Sequence, residues 1–190
     1  MERKDIRLTQ TSYAVFSLLD LLGEATVYEL KQLLERSIEN FWPIPHTTFY
    51  AEPERLARAG YLASEQEPGG RRRKRYALTD KAREALAEWV QRTDVAPPQY
   101  RDEGMLKIFA GADPRPLMAA RREWHMGKLA ELRTCLQEVR AGGGAAGVEQ
   151  SLRAGITYHC QMLEPIERYL ADQDHTEIAA AADQAASGSS

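Results

Sequence analysis

Apolar residues at helical spacing, together with residues that cap helices, predict two helices at the start of the chain. Thr9 is a favourable N-cap for the first helix, which continues through apolar positions as far as Gly23. The second helix begins at Thr26, because Thr26 and Glu29 have the spacing of a capping box and the leucines that follow recur at helical intervals. Both segments are therefore predicted to be amphipathic helices of a globular domain.

A third helix is predicted between two breaks rich in proline or glycine. The segment 41–45 ends the preceding helix, because two prolines cannot lie inside one helical turn. The third helix then runs from His46 to about Ala59, and Gly60 ends it. Pro53 lies inside this helix and removes one backbone hydrogen bond, which predicts a kink with an offset second half.

Two short strands follow the third helix. Residues 61–65 and 75–78 have strand character, and the Pro-Gly-Gly turn at 68–70 between them is typical of a hairpin. A fourth helix is predicted over 79–90. Three helices, a hairpin and a further helix predict a winged helix-turn-helix in residues 1–92, so the fold class is mainly α with a small β-hairpin wing.

The second half of the chain is predicted to be almost entirely helical. Residues 95–98 form a linker rich in proline, which marks the boundary between two domains. A short helix is predicted over 101–110. A long helix should begin at Asp113-Pro114 and end near residue 140, because proline favours the first helical position. A last long helix is predicted over 148–172, with a bend at its proline.

The two long helices carry seams of apolar residues spaced three and four apart, as in coiled coils. We expect these seams to be buried against a second copy of the chain, because two helices packed only on each other leave a small core. The alternative is an antiparallel hairpin within one chain, packed on the winged helix. Residues 99–175 are thus predicted as a helical dimerisation domain, and 176–190 as a flexible tail. The predicted dimerisation residues are Leu129, Leu132, Leu136, Val139, Leu152, Ile156, His159, Leu163, Ile166 and Leu170.

Charge is unevenly distributed, although the net charge of the whole chain is only −3. Residues 1–92 hold 15 Lys or Arg and 14 Asp or Glu, a net of +1, and the remaining residues hold 10 and 14, a net of −4. The strongest basic run, 71–75, lies in the predicted wing, where a polyanion would bind. No apolar run is long enough to span a bilayer and the mixed-charge start is not a secretory signal, so we expect a cytoplasmic protein.

Six short motifs in the first 90 residues form a recognisable series: residues 8–15, 28–30, 41–50, 54–56, 60–62 and 70–76. Together they resemble the PadR-like transcriptional regulators, and weaker similarity continues through 152–158. The long second half is similar to that of the larger PadR-like subgroup. The resemblance implies a homodimeric repressor that binds an inverted-repeat operator. Pro53 departs from the family pattern, which puts the straightness of the third helix in doubt.

A protein that reads duplex DNA needs a helix for the major groove and cations for the phosphates. The start of the third helix offers hydroxyls and an imidazole beside free backbone N–H groups, and the wing offers adjacent cations. The predicted DNA-binding residues are His46, Thr47, Thr48, Tyr50, Arg55, Arg58, Arg71, Arg72, Arg73, Lys74 and Arg75. The alternatives are packing of Tyr50 in the core, a solvated helix face for Arg55 and Arg58, and a solvated hairpin tip for the wing.

An effector site is a further expectation. Tyr13, Phe41, Trp42 and Trp124 are candidates to line an apolar cavity between the winged helix and the arm, and the alternative is that they fill the core. The resemblance implies a small aromatic, phenolic or drug-like compound that loosens DNA binding. Such a compound acts only through its differential affinity for the two forms of the protein.

The remaining candidate chemistry points away from catalysis. His125 and His159 lie on the helical seams, and we expect them to be packing residues rather than metal ligands or pH switches. Cys135 and Cys160 are likewise expected to be packing residues, so no metal or cofactor is predicted. The nucleophile, phosphate-loop and zinc motifs of common enzymes do not occur. The competing function is a winged-helix module that binds protein instead of DNA.

Overall fold

The computed structural model describes the backbone of residues 6–66, 73–99 and 101–187, and their side chains except at position 40 and over 173–187. Contacts divide the chain into two units, Met1–Pro97 and Pro98–Ser190. No helix within these described ranges combines the length and apolar character needed to cross a bilayer.

The amino-terminal unit contains the predicted helices and strands. Its elements are α1 (Gln10–Leu22), β1 (Glu24–Thr26), α2 (Val27–Arg36), a 3-10 turn (Ile38–Asn40), α3 (His46–Arg58), β2 (Leu62–Gln66), β3 (Lys74–Leu78) and α4 (Asp80–Gln91). Thr9 and Thr26 cap α1 and α2, each within a capping box, and Gly23 ends α1. These helices and caps are confirmed as predicted. The third helix is a single helix that continues through Pro53.

Among the described residues the sheet has three strands, one more than the sequence predicted. Its order is β1-β3-β2, and both pairings are antiparallel. In the additional pairing Glu24 lies opposite Ala77 and Thr26 lies opposite Arg75. With only three residues between Gly23 and α2, β1 is too short for alternation to identify it. β1 pairs with β3, which carries Lys74 and Arg75, and forms one edge of the sheet.

The core of this unit forms where α1, α2 and α3 converge. Phe16 of α1 packs with Phe49 and Leu56 of α3 and with four leucines of α1 and α2, and all of these side chains are fully buried; the leucines are Leu18, Leu19, Leu30 and Leu34. Burying apolar side chains of this size contributes about 1.5–3 kcal/mol each to folding. Because Phe49 and Leu56 are seven residues apart, they hold one face of α3 inward and leave the opposite face exposed.

In the part of the carboxyl-terminal unit that the structure describes there are three helices: α5 (Glu103–Phe109), α6 (Pro114–Ala141) and α7 (Ala146–Ser187). Asp113 caps α6, with Pro114 at the first helical position as predicted. The last helix is longer than predicted, because the backbone of 176–187 continues α7, and flexibility of the tail stays a prediction. Alanine is the strongest helix former, so this alanine-rich segment extends the helix instead of ending it.

The seams of α6 and α7 are buried against each other within one chain. His125 contacts His159, and Arg140 Nε lies 3.0 Å from Glu149 Oε1, so the helices run antiparallel. The seam residues Leu129, Leu132, Leu152, His159 and Ile166 are buried, whereas Leu136, Val139, Ile156, Leu163 and Leu170 are half-buried. The hairpin within one chain therefore buries part of each seam. Burial of the half-buried residues against a second copy of the chain stays a prediction.

Candidate nucleic-acid interface

The start of α3 presents uncapped backbone donors and polar side chains. Pro45 occupies the N-cap, and no side chain among the described residues accepts a hydrogen bond from the first turn. The first bond of the helical ladder joins Phe49 N–H to the Pro45 carbonyl oxygen at 3.0 Å. The exposed side chains at this end are those of His46, Thr47, Thr48 and Tyr50. An uncapped helix N-terminus attracts anions, and phosphate groups in particular.

Tyr50 lies outside the core, which excludes the alternative that the sequence left open. Its side chain is 48% exposed, and its ring stacks against that of His46 with centroids 6.4 Å apart. The hydroxyl makes no hydrogen bond to any described residue. Tyr50 therefore extends the polar surface that His46 begins.

A buried polar cluster joins α3 to α1. Ser12 Oγ donates a hydrogen bond of 2.6 Å to Glu52 Oε1, and Arg55 Nε donates one of 2.8 Å to Glu52 Oε2. Arg55 also donates to Ser12 Oγ and to the carbonyl oxygen of Arg7. Burial raises the pKa of Glu52, but the hydrogen bonds and charge of Arg55 and Ser12 outweigh it and hold the pKa below its ordinary value.

This cluster changes the role of Arg55. The sequence placed its guanidinium among the phosphate contacts, whereas the structure holds it against Glu52 inside the domain. Arg58, one turn further along α3, is exposed, and its Nε lies 3.4 Å from the Glu54 carbonyl oxygen. Sequence reasoning missed Ser12 and Glu52. The acidic residue Glu52 on the predicted third helix was the one sequence feature that could have indicated this cluster. Its partner Ser12 lies 40 positions away, so local spacing does not reveal the contact.

The wing strand β3 is tied to α3 through Glu54. Lys74 Nζ lies 2.9 Å from Glu54 Oε2, and the Tyr76 hydroxyl donates to the same oxygen at 3.2 Å. Burial, followed by the charge and hydrogen bonding of Glu54, raises the pKa of Tyr76 to about 12. The hydrogen bond from Lys74 lowers the pKa of Glu54. Lys74 and Tyr76 therefore lie on the face of β3 that is turned toward α3.

The other face of β3 carries Arg75. Its Nε lies 3.2 Å from Glu24 Oε1 on β1, and its NH1 lies 3.6 Å from Glu29 Oε2 on α2. Arg73 is exposed, and Arg71 and Arg72 lie outside the described residues. The side chains of Lys74 and Arg75 lie on opposite faces of β3, as expected for successive residues of a strand. Two of the cations thus have carboxylate partners within the domain, which the sequence did not predict.

The four aromatic residues proposed for an effector site have different surroundings. Tyr13 stacks on Trp89 with ring centroids 4.5 Å apart, and it packs against the core. Phe41 and Trp42 are exposed, at 61% and 47%, in the segment between the 3-10 turn and α3. Trp124 lies on α6, where it lines a cavity of the carboxyl-terminal unit. Tyr13 thus has a packing role, and Trp124 is the member of the set that lines a described cavity.

Comparison with known proteins finds a family match within the amino-terminal unit. The model of the Transcriptional regulator PadR-like family matches residues 15–88, which run from α1 into α4. The Negative transcriptional regulator PadR of Bacillus subtilis (strain 168) is 29% identical over 99 residues, which is 51% of this chain. The match spans 54%, about half, of the length of that relative.

Solved structures share the architecture over most of the chain. Bacillus subtilis PadR in complex with operator DNA has a TM-score of 0.73 at 22% identity, covering 88% of this chain and 99% of that one. The same protein in complex with p-coumaric acid has a TM-score of 0.65 at 21% identity, covering 86% and 98%. At these identities the likeness shows the fold. The match to the PadR-like family of transcriptional regulators thus applies to residues 15–88, and the likeness to the solved structures applies to the fold.

Proposed function

We propose that the protein is a cytoplasmic repressor of transcription that binds an inverted-repeat operator as a homodimer and is released by a small aromatic effector. The observation that carries the proposal is the exposed, uncapped start of α3 beside a basic wing strand, in a domain that matches the model of the PadR-like family. A relative of that family is named as a negative regulator, which supports repression as the direction of control.

In the proposed complex the start of α3 enters the major groove. His46, Thr47, Thr48 and Tyr50 provide hydrogen-bonding groups for base edges and phosphates, and the free N–H groups of the first turn favour a phosphate. Arg58 lies on the exposed side of the same helix and reaches the backbone. Arg55 acts indirectly, because it fixes α3 on α1 through Glu52.

The wing binds the neighbouring phosphates in this proposal. Arg73 is exposed. Lys74 is paired with Glu54 and Arg75 with Glu24, so each must leave its carboxylate, or bind it and a phosphate together, to contact DNA. Exposed ion pairs are worth little, about 0–1 kcal/mol, so a phosphate can compete for these cations. Arg71 and Arg72, which precede the described strand, extend the same basic run.

A homodimer would present two α3 helices to one face of the duplex. Half-sites should then lie about one helical turn apart and form an inverted repeat. Support comes from the half-buried seam residues, for example Leu136 and Leu163, which keep apolar surface available after the hairpin has formed. The protein-binding alternative predicts no such DNA footprint.

A gel shift with the DNA upstream of the protein's own gene tests the proposal. The expected result is a shifted band at lower protein concentration than for scrambled DNA of equal length, with a footprint that has two-fold symmetry. Thr47→Ala combined with Thr48→Ala should abolish the preference while leaving the fold intact, because both side chains are exposed. Equal affinity for both DNAs, or no binding at low salt, would refute the proposal.

A further inference from the structure

A cavity of about 920 Å³ lies within the carboxyl-terminal unit, between the segment that begins α5 and the helices α6 and α7. Its walls include Trp124, Tyr158, Met162 and Tyr169. Trp124 is 55% exposed and Tyr158 is 46% exposed, so these large rings remain uncovered by the chain. Cavities with apolar and aromatic walls and a few polar groups are the usual sites of small ligands.

A pair of buried histidines forms part of this cavity. His125 lines it, and the Nδ1 atom of His125 lies 2.8 Å from the Nδ1 atom of His159. Both side chains are almost fully buried, at 3% and 4% exposure. One Nδ1 must carry a hydrogen and the other a lone pair. Neither Nε2 atom has a hydrogen-bond partner among the described residues, and His125 is the member of the pair that lines the cavity.

The charges around the pair favour an anion. The other titratable or charged groups that line the cavity are Arg101, Asp102, Glu103, Arg121, Tyr158 and Tyr169. Asp102 is paired with Arg121, and Glu103 Oε1 lies 2.8 Å from Lys107 Nζ, so these charges compensate one another. Arg101 has no carboxylate partner among the described residues and leaves one positive charge in the cavity lining. Lys128 also faces the pair from α6 and is bonded to Glu131.

These same groups keep the free pair neutral. Burial lowers the pKa of His125, and the charges of His159 and Arg121 add to this effect. Burial, with the charge of Lys128, lowers the pKa of His159 as well. In the neutral pair one Nε2 carries a lone pair and the other carries a hydrogen.

We propose that this cavity is the effector site, that it takes a planar aromatic carboxylate, and that ligand binding loads one proton onto the His125–His159 pair. An effect of the ligand on DNA binding rests on the proposed function, whereas binding of the ligand and uptake of the proton are argued from the cavity alone. A proton from solvent forms an N–H bond at Nε2 of His125, whose Nδ1–H continues to donate to His159. The resulting imidazolium donates its Nε2–H to the ligand carboxylate, which remains ionised, so one positive charge is gained and meets one negative charge.

Calorimetric titration of the full chain without DNA tests this inference. The probes are p-coumarate and 2-naphthoate, each compared with its methyl ester, in two buffers of different ionisation heat near neutral pH. We expect uptake of about one proton per bound carboxylate and a dissociation constant that rises about tenfold per pH unit above neutrality. The esters should take up no proton. Failure of both carboxylates to bind, or binding without proton uptake, would overturn the inference.

Two variants locate the proton. His125→Gln removes the ring that takes the proton and should abolish proton uptake, whereas Cys160→Ser, at an exposed position on α7, should leave it unchanged. Unchanged uptake in His125→Gln would also contradict the inference. Because DNA is absent from these titrations, their outcome is independent of the gel shift. If the carboxylates bind with proton uptake but the protein does not bind operator DNA, the proposed repressor function is refuted and the inference about the cavity stands.

Discussion

Ser12 Oγ donates a hydrogen bond of 2.6 Å to Glu52 Oε1, and this buried contact joins α1 to the helix proposed to read DNA. Arg55 completes the cluster by donating to both partners. A buried carboxylate that loses its donors pays the full cost of desolvation, so the cluster is stable only when it is complete. The orientation of α3 therefore depends on a polar contact as well as on the apolar core.

Removing either end of this contact should destabilise the amino-terminal unit. We expect Ser12→Ala to lower the free energy of unfolding by about 1–3 kcal/mol, because Glu52 loses a buried hydrogen bond. Ser17→Ala, which removes only a local bond from Ser17 Oγ to the Tyr13 carbonyl oxygen, is the matched control and should cost less. Urea unfolding followed by circular dichroism measures both. Equal effects of the two changes would show that the cluster contributes nothing specific.

The basic wing should determine how strongly DNA binding depends on salt. Replacing Arg72, Arg73 and Lys74 by alanine should weaken binding to all sequences, and each lost phosphate contact should flatten the log–log salt slope by about 0.9. Arg83→Ala on α4 removes the same type of charge from an exposed pair with Asp20 and serves as control. Titrations of duplex DNA at several salt concentrations give the slopes. A triple variant with the wild-type slope would place the wing outside the interface.

Glu54 should oppose DNA binding, because its carboxylate holds Lys74 and lies on α3 itself. Glu54→Gln removes one negative charge near the phosphates and releases Lys74, so non-specific affinity should increase severalfold. Glu84→Gln, an exposed carboxylate on α4, provides the same charge change elsewhere. Fluorescence anisotropy with a labelled random duplex measures the difference. A decrease in affinity for Glu54→Gln would instead assign the carboxylate a contact with DNA.

The histidine pair should make the stability of the protein depend on pH in mildly acidic solution. The pKa values of His125 and His159 in the folded protein lie below 6.5, so the unfolded chain binds more protons as the pH falls past that value. The free energy of unfolding should therefore decrease between about pH 7.5 and about pH 5.5. Carboxylates with lowered pKa values, such as Glu52, lose their contribution only below 4.5.

Urea unfolding at both pH values tests this dependence. The double variant His125→Gln with His159→Gln should lose most of it, because neither state then gains a proton at these positions. His46→Gln, which removes an exposed histidine of α3, should retain it. A wild-type protein that is equally stable at both pH values would mean that the pair accepts a proton without cost.

Local patterns determined most of the secondary structure. Thr9, Gly23 and Thr26 define helix ends through bonds to residues three or four positions away, so the sequence alone locates them. Leucines at helical spacing likewise identify the faces of the helices that are buried. The exposed start of α3 and the position of the wing follow from the same periodicity.

Tertiary structure decided which partner each of these faces and charges meets. Ser12 with Glu52, Lys74 with Glu54 and the His125–His159 pair join residues 20 to 40 positions apart, and no periodic pattern encodes such distances. The same holds for the seams of α6 and α7, since an apolar stripe specifies burial but not the surface that buries it. Residue types and local spacing thus determined the elements, whereas long-range packing decided which cations and rings remain available for ligands.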